Sequence, residues 1–285
     1  MRCAWKELLN LLPQKMRQEV DELGREGAQE LRLRVNSPPE LVLGRESRWL
    51  SGKVQCEELS GIINAATRYS PWAASTISRG YLTAQGGHRI GICGEVYLKN
   101  NQIAGIRNPT ALCIRIARDY PGISRDLAKI NGSILILGAP GWGKTTLLRD
   151  LIRLRSEQGS HISVVDEREE LFPQGFDRGR RTEVLSGCPK AAGLDMLLRT
   201  MGPDTIALDE VTAEADCEAL QRAAWCGVNL LATAHAASPS DYLHREIYAP
   251  LVKQNLFETI VILHRDKSWH LERSGGWTTN GSARC

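Results

Sequence analysis

The sequence predicts an α/β fold: a mainly parallel sheet with helices on both faces in its second half, preceded by a smaller α+β domain. Three observations predict it. From Ser133 onward, short apolar runs alternate with amphipathic helical stretches. Before about Gly122, apolar and charged residues instead alternate singly, as in Leu31-Arg32-Leu33-Arg34-Val35, the period-two pattern of a strand with one wet face. Tyr120-Pro121-Gly122 supplies turn chemistry between the two regions.

The elements follow in order. Trp5, Leu8, Leu9, Leu12, Met16, Val20 and Leu23 fall at helical spacing among charged residues. That is an amphipathic helix whose stripe packs on a core or partner rather than on a membrane. It lacks the continuous apolar stretch of a signal peptide. Strands are expected at Leu31–Val35, Leu41–Leu43, His88–Ile92 and Cys113–Ala117, and a helix at Glu57–Tyr69. In the second half strands are expected at Ser133–Leu137, His161–Val165, Thr205–Leu208, Val228–Thr233 and Thr259–Leu263. The helices between them are Lys144–Gln158, Gly193–Met201, Ala213–Trp225 and Ser238–Glu246. This divides the chain into an N-terminal domain (1–125), an α/β domain (126–268) and a C-terminal tail (269–285). The tail's Gly, Ser, Thr and Asn content at Ser274–Cys285 predicts fraying.

At 42% hydrophobic and 24% charged residues, the chain supports a sizeable core and is not a disordered protein. No run approaches the roughly 20 apolar residues of a membrane span. The net charge of +3 is too small to demand a nucleic-acid partner, but it is uneven. Residues 1–125 carry 18 Lys and Arg against 12 Asp and Glu, and residues 126–285 carry 18 against 21. A basic first half faces either an anionic partner or only solvent. The eight cysteines form no C-x-x-C pair and show no zinc-ligand spacing, so they read as reduced and structural. No structural zinc is expected.

Four motifs carry chemistry. Gly138-Ala139-Pro140-Gly141-Trp142-Gly143-Lys144-Thr145 matches G-x-x-x-x-G-K-[ST] between a predicted strand and a predicted helix. Glycines let backbone N–H groups turn inward around phosphates, and the helix N-terminus adds a positive dipole. Lys144 places a point charge on the β- and γ-phosphates of ATP. Thr145 ligates Mg²⁺, and Thr146 reaches the α-phosphate region. Second, Ile206-Ala207-Leu208-Asp209-Glu210 ends an apolar strand in two acids. Asp209 is expected to bind Mg²⁺, directly or through its water, and Glu210 to orient or deprotonate the attacking water. Third, Val164-Val165-Asp166-Glu167-Arg168-Glu169-Glu170 follows the strand after the loop helix, where ligands sit in open α/β sheets. Its acids are expected to face the nucleotide, with Glu167 a second group to position water or Mg²⁺. Fourth, Thr233-Ala234-His235 follows another strand; His235 is either a γ-phosphate sensor or a structural histidine. Arg178, Arg180 and Arg181 form a loop cluster that is either solvated or faces phosphate or another subunit.

In this order, the motifs resemble the secretion-ATPase branch of RecA-like P-loop NTPases, motors of type II secretion and type IV pili. The acidic stretch after the second strand and the Thr-x-His stretch after the fourth are diagnostic there. The resemblance runs from about Glu30 to about Leu263 and is nearest a branch found in endospore-forming bacteria. It is carried by Glu30-Leu31-Arg32-Leu33-Arg34, Gly87-His88-Arg89-Ile90-Gly91-Ile92-Cys93-Gly94-Glu95, Ile114-Arg115-Ile116-Ala117-Arg118 and Gly187-Cys188-Pro189-Lys190 beside the four motifs. It implies a Mg²⁺-dependent ATPase that assembles as a homo-oligomer, a hexamer. It implies a cytoplasmic site, peripheral at the inner face of a membrane. The partners implied are membrane proteins of a secretion-like channel between mother cell and forespore. It also implies that arginines of the N-terminal domain, here Arg89, Arg107 and Arg115, serve a nucleotide site. Trp142, Glu183 and Val211 depart from the family's usual wording.

Two further readings compete with the motor. A RecA-like motor on nucleic acid would use the basic first half. Against it, Trp5, Trp49, Tyr69, Trp72, Tyr81 and Tyr97 are scattered rather than gathered into a stacking platform. A nucleotide-bound scaffold with little hydrolysis would not need Glu210 in its expected place.

Overall fold

In the computed structural model, which describes residues 2–44, 46–67, 77, 80–173 and 175–273, the N-terminal apolar stripe forms two helices rather than one. After a short strand β1 (Arg2–Cys3), α1 spans Trp5–Leu11 and α2 spans Gln14–Gly24. Pro13 makes the break: it pushes Leu12 into an extended conformation (ψ 150°) and itself precedes the second helix. The indole of Trp5 donates to Asp21 at 2.6 Å, tying the two helices together.

The remaining elements of this first unit are β2 (Glu30–Arg34), β3 (Glu40–Leu43), β4 (Glu46–Trp49), α3 (Cys56–Thr67), β5 (Tyr81–Thr83), β6 (Arg89–Lys99), β7 (Gln102–Arg115) and β8 (Arg118–Asp119). Six strands make an antiparallel sheet in the order β4-β3-β2-β7-β6-β5. The alternation read at Leu31 and Leu33 holds: both are fully buried, with Leu8, Leu12, Leu41, Leu59, Ile90 and Ile114 in one core. Each such side chain contributes about 1.5–3 kcal/mol on burial. Arg32 and Arg34 lie on the opposite face, paired with Glu30 and Glu40 at 2.7 and 2.8 Å.

The β6–β7 hairpin is far longer than its two expected strands. Its outer half carries Val96, Tyr97, Leu98 and Ile103 exposed, so the burial contrast that marks a strand in sequence is lacking there. Asn100 and Asn101 turn it with φ of 52° and 61°, a conformation Asn tolerates. Cys93, one of the eight cysteines read as structural, is exposed on this hairpin. The expected helix end at 68–69, Trp72 and the tail 274–285 lie outside the described residues.

His88 is fully buried and joins the N-terminus to this sheet. Its Nε2 donates to the Ala4 carbonyl at 2.8 Å, and its Nδ1 accepts the Ala117 N–H at 3.2 Å. Both bonds are satisfied by the neutral ring alone. Burial pushes the pKa below the ordinary 6.5, outweighing the upward pull of the Ala4 carbonyl. The unfolded chain therefore takes up a proton that the folded chain refuses. This contribution to stability is complete above pH 6.5 and is lost as the pH falls from there through the folded pKa. Thermal melts on acidification should show a steeper fall for wild type than for His88→Gln. Parallel profiles would refute this.

Tyr120–Phe172 and Asp177–Cys285 form the second compact unit; the first comprises Met1–Asp119 with Pro173–Phe176. Near its start, the N–H groups of Gly122 and Ser124 donate to Asp150 at 2.8–3.0 Å. Its elements are β9 (Ile134–Leu137), α4 (Lys144–Glu157), β10 (Ile162–Asp166), β11 (Thr182–Ser186), α5 (Lys190–Thr200), β12 (Thr205–Val211), α6 (Glu214–Trp225), β13 (Asn229–Ala234), α7 (Pro239–His244), α8 (Ala249–Lys253), β14 (Thr259–Leu263) and β15 (Trp269–Arg273). The sheet runs β11-β10-β12-β13-β9-β14-β15, parallel throughout except for β15. Both faces are covered, as the unbroken apolar runs predict. In β9, Ile134 and Ile136 pack with Leu147, Leu148 and Leu151 of α4, while Leu135 and Leu137 pack in a second cluster with Leu194 and Leu220 of α5 and α6.

Three elements differ from expectation. β11 is a half-buried edge strand whose Glu183-Val184-Leu185 gives too short a pattern to read. β15 lies within the expected tail but pairs antiparallel with β14 from Thr259↔Arg273 to Leu263↔Trp269. The helix expected over Ser238–Glu246 stops at His244, capped at its start by the Ser238 hydroxyl, and α8 follows after one tighter turn. Among the described residues, no helix is long and apolar enough to cross a membrane.

Candidate functional site

Gly138 to Gly143 form the turn between β9 and α4, at the carboxyl edge of the parallel strands. Gly141 and Gly143 take φ of 76° and 102°, which side chains rarely adopt. Gly143 is thereby the left-handed residue from which α4 begins, and no side chain caps that helix. Its first N–H groups thus lack intrahelical acceptors beside the positive end of the dipole, the arrangement that suits an anion. Ala139 and Pro140 complete the turn, and Trp142 is half-buried against the cluster beneath α4.

Lys144 is buried, its Nζ donating to the Ala139 carbonyl at 3.3 Å and to His235 Nδ1 at 3.0 Å. With Nδ1 accepting, His235 Nε2 carries the proton and donates it to Glu210 Oε1 in a short hydrogen bond. Lysine, histidine and glutamate thus form one relay. Burial lowers the Lys144 pKa, and the nearby Asp209 and Glu210 charges partly restore it.

A second chain runs beside the first. The Thr145 hydroxyl donates to Asp209 Oδ2 at 2.8 Å, and Thr233 Oγ1 donates to Asp209 Oδ1 at 2.7 Å. Thr146 lies next on the first turn of α4, half-buried. A hydroxyl and a carboxylate at a helix N-terminus are hard oxygen donors, the chemistry Mg²⁺ selects.

Glu210 is not at a simple strand end. The β12–β13 register shifts between Leu208 and Val211, so Asp209 and Glu210 form a bulge, and Glu210 has φ of 56°. For a non-glycine residue that costs about 1–3 kcal/mol and persists only where surroundings hold it. Thr233 Oγ1 accepts the Glu210 N–H at 2.8 Å, and Lys190 Nζ donates to the Glu210 carbonyl at 2.6 Å. The carboxylate also meets Arg168 at 3.3 Å. Val211, a departure in the motif, is simply buried where the strand resumes.

The first two acids of the third motif part company. Glu167 is partly exposed and lies 3.7 Å from Lys190. Asp166 does not face outward: its carboxylate accepts the N–H groups of Glu170, Leu171 and Phe172 at 2.9–3.0 Å. Burial raises its pKa above the ordinary carboxylate value, only partly offset by the N–H groups of Phe172 and Leu171. Asp166 thus shapes its own turn. Arg149 of α4 donates to the carbonyls of Glu170 and Leu171, holding that turn in place. Asp166, Glu167, Arg168, Lys190, Asp209 and Glu210 line one shallow cleft.

In the first unit, Arg89 and Arg115 are register partners on neighbouring strands. Arg89 stacks 4.2 Å over Tyr81, and Arg115 lies 3.7 Å from Glu30. Arg107 stands apart, farther along the hairpin, 3.5 Å from Glu95. Of the loop cluster, Arg181 donates to the Gly159 carbonyl and Arg180 pairs with Glu157, both near the start of β10 and away from the loop edge.

The sequence reading missed four contributors. Thr233 stood in a motif read only for its histidine. Lys190 stood in a quoted motif without a role. Arg168 was passed over beside Glu167. Lys267, in the β14–β15 turn, donates to the Gly141 carbonyl, and no local pattern marks it.

The comparisons agree with this architecture. Two solved structures share the fold at 16% identity: the ATPase DotB of Legionella pneumophila, with a TM-score of 0.60 over 90% of this chain and 78% of that one, and the pilus retraction motor PilT with bound ADP, with a TM-score of 0.60 over 87% and 76%. Stage III sporulation protein AA of Bacillus subtilis (strain 168) is 34% identical over 281 residues, covering 92% of this chain and 91% of its own. The family profile described as sporulation stage III, protein AA matches residues 4–275, and the chain belongs to that family.

Proposed function

We propose that this protein is an ATP-hydrolysing oligomeric motor of the secretion-ATPase type. The observation that carries the reading is the pair of hydrogen-bonded chains meeting at the loop: Lys144–His235–Glu210 and Thr145–Asp209–Thr233. Fold likeness to secretion ATPases and family membership support it.

In this reading, Lys144 and the first N–H groups of α4 bind the β- and γ-phosphates of ATP, and Thr146 lies toward the α-phosphate. Thr145 and Asp209 hold Mg²⁺, which when bound neutralises phosphate charge. Glu210 orients a water and takes its proton as the water oxygen bonds to the γ-phosphorus and the bond to the β-phosphate oxygen breaks. His235, already joined to both Glu210 and Lys144, senses the γ-phosphate, because a phosphate that draws Lys144 away breaks its contact. Glu167 supplies a second carboxylate at the cleft. In a homo-oligomer, a hexamer, Arg89, Arg107 and Arg115 serve a nucleotide site. The ring works on the cytoplasmic side of a membrane with membrane proteins of a channel between mother cell and forespore.

Phosphate release measured across protein concentration, with the particle mass measured with and without ATP, tests this reading. Slow turnover that rises with concentration, together with a larger mass in ATP, is expected. No release at any concentration would leave a nucleotide-bound scaffold instead.

A further inference from the structure

Lys190 is a buried lysine that the mechanism above does not use. It is the first residue of α5, directly after Pro189, with 6% of its surface exposed. A cation there opposes the helix dipole, and a buried ammonium is costly unless paired. What Lys190 touches suggests a use. Its Nζ donates to the Glu210 carbonyl at 2.6 Å and to Thr212 Oγ1 at 3.2 Å. It also lies 3.7 Å from Glu167 and 3.8 Å from Asp216. Asp216 is otherwise occupied, accepting the N–H groups of Thr212 and Ala213 at 3.0 and 3.1 Å.

The decisive contact is with Glu210, whose left-handed backbone is held by side chains at both its polar groups. Thr233 takes the N–H and Lys190 supplies the carbonyl's donor. Thr233 is also tied to Asp209, but Lys190 reaches the bulge from a different element, the first turn of α5. We propose that Lys190 is a positioning residue for ATP hydrolysis: it clamps the Glu210 peptide in its bend, so that the carboxylate is held at the cleft in contact with His235. The same ammonium draws Glu167 toward that peptide, joining the loop after β10 to the bulge of β12. The proposal rests on the hydrolytic reading above.

Lys190→Met keeps the length of the side chain and removes both donor and charge. Nucleotide-free Tm should fall, because the buried Asp216 and the Glu210 carbonyl lose a partner, while ATP affinity should stay near wild type. The kcat should fall at least tenfold with KM unchanged, because the lost interaction acts on the group that meets the water. Lys190→Arg, which retains a donor and the charge, should recover much of that loss. In a Glu210→Gln background, Lys190→Met should add little, since the carboxylate being positioned is already gone. A crystal structure of Lys190→Met should show Glu210 leaving its positive φ and losing His235. An unchanged kcat, a loss that tracks ATP affinity, full additivity with Glu210→Gln, or an unmoved Glu210 peptide would each overturn the proposal. If Lys190→Met does not fold, Lys190→Gln, with a donor but no charge, undergoes the same measurements. Should wild type release no phosphate, the hydrolytic reading fails separately, and the position of the Glu210 peptide in the variant still decides whether Lys190 is a clamp.

Discussion

Glu210→Gln should slow phosphate release by about 10²- to 10⁴-fold, the range lost when a general base is removed. ATP affinity should stay within a few-fold of wild type. The substitution is nearly isosteric, and the bulge that carries it is held through the backbone, by Thr233 and Lys190, not through the carboxylate. The amide oxygen still accepts from His235 Nε2, so the relay to Lys144 keeps its geometry. What is lost is the ability to take a proton. Phosphate release in a single-turnover experiment, beside equilibrium binding of an ATP analogue, separates the two effects. Equal loss of binding and turnover would mean that Glu210 shapes the site rather than acting on water. Equal turnover in variant and wild type would move the base to Glu167, a partly exposed carboxylate at the same cleft.

How much of this was legible before the structure depends on how local each signal is. The loop Gly138–Thr145 is contiguous, and its glycines are required by backbone angles set within the turn itself, so sequence alone identifies it. The parallel sheet was legible because strands buried on both faces leave unbroken apolar runs such as Ile134–Leu137. Asp209 and Glu210 were found as the end of such a run, but their bulge was not. It depends on Thr233 from the next strand and Lys190 from a helix, and neither is near in sequence. Asp166 shows the converse limit. An acid at a strand end reads as facing a ligand, yet here three N–H groups of its own turn engage the carboxylate. Whether a carboxylate points outward or folds back is settled by the next six residues' dihedrals, including Glu169 at φ 56°, which composition does not encode. The outer β6–β7 hairpin was invisible for a different reason: with both faces exposed, it has no burial pattern to display.

Lys144→Met should weaken ATP binding by about 2–4 kcal/mol, roughly 30- to 10³-fold, the scale of a charge-assisted contact to phosphate in a partly shielded site. The effect on the nucleotide-free protein should have the opposite character. Burial holds the Lys144 pKa below its ordinary value, so the ammonium is less favourable in the fold than in the unfolded chain. The unfolded chain binds this proton more tightly, and the group's contribution to stability rises as the pH climbs through the folded pKa. Methionine fills the same volume without a charge, so the nucleotide-free Tm of the variant should equal or exceed that of wild type at neutral pH. Only the contacts to Ala139 and His235 are given up, and His235 remains anchored through Glu210 and through its own N–H to the Tyr248 hydroxyl. Added ATP and Mg²⁺ should raise the wild-type Tm and leave the variant's almost unmoved, because stabilisation by a ligand follows the ratio of its concentration to Kd. A variant that melts lower without nucleotide yet keeps the full ATP shift would make Lys144 a structural strut of the loop and place the phosphates elsewhere.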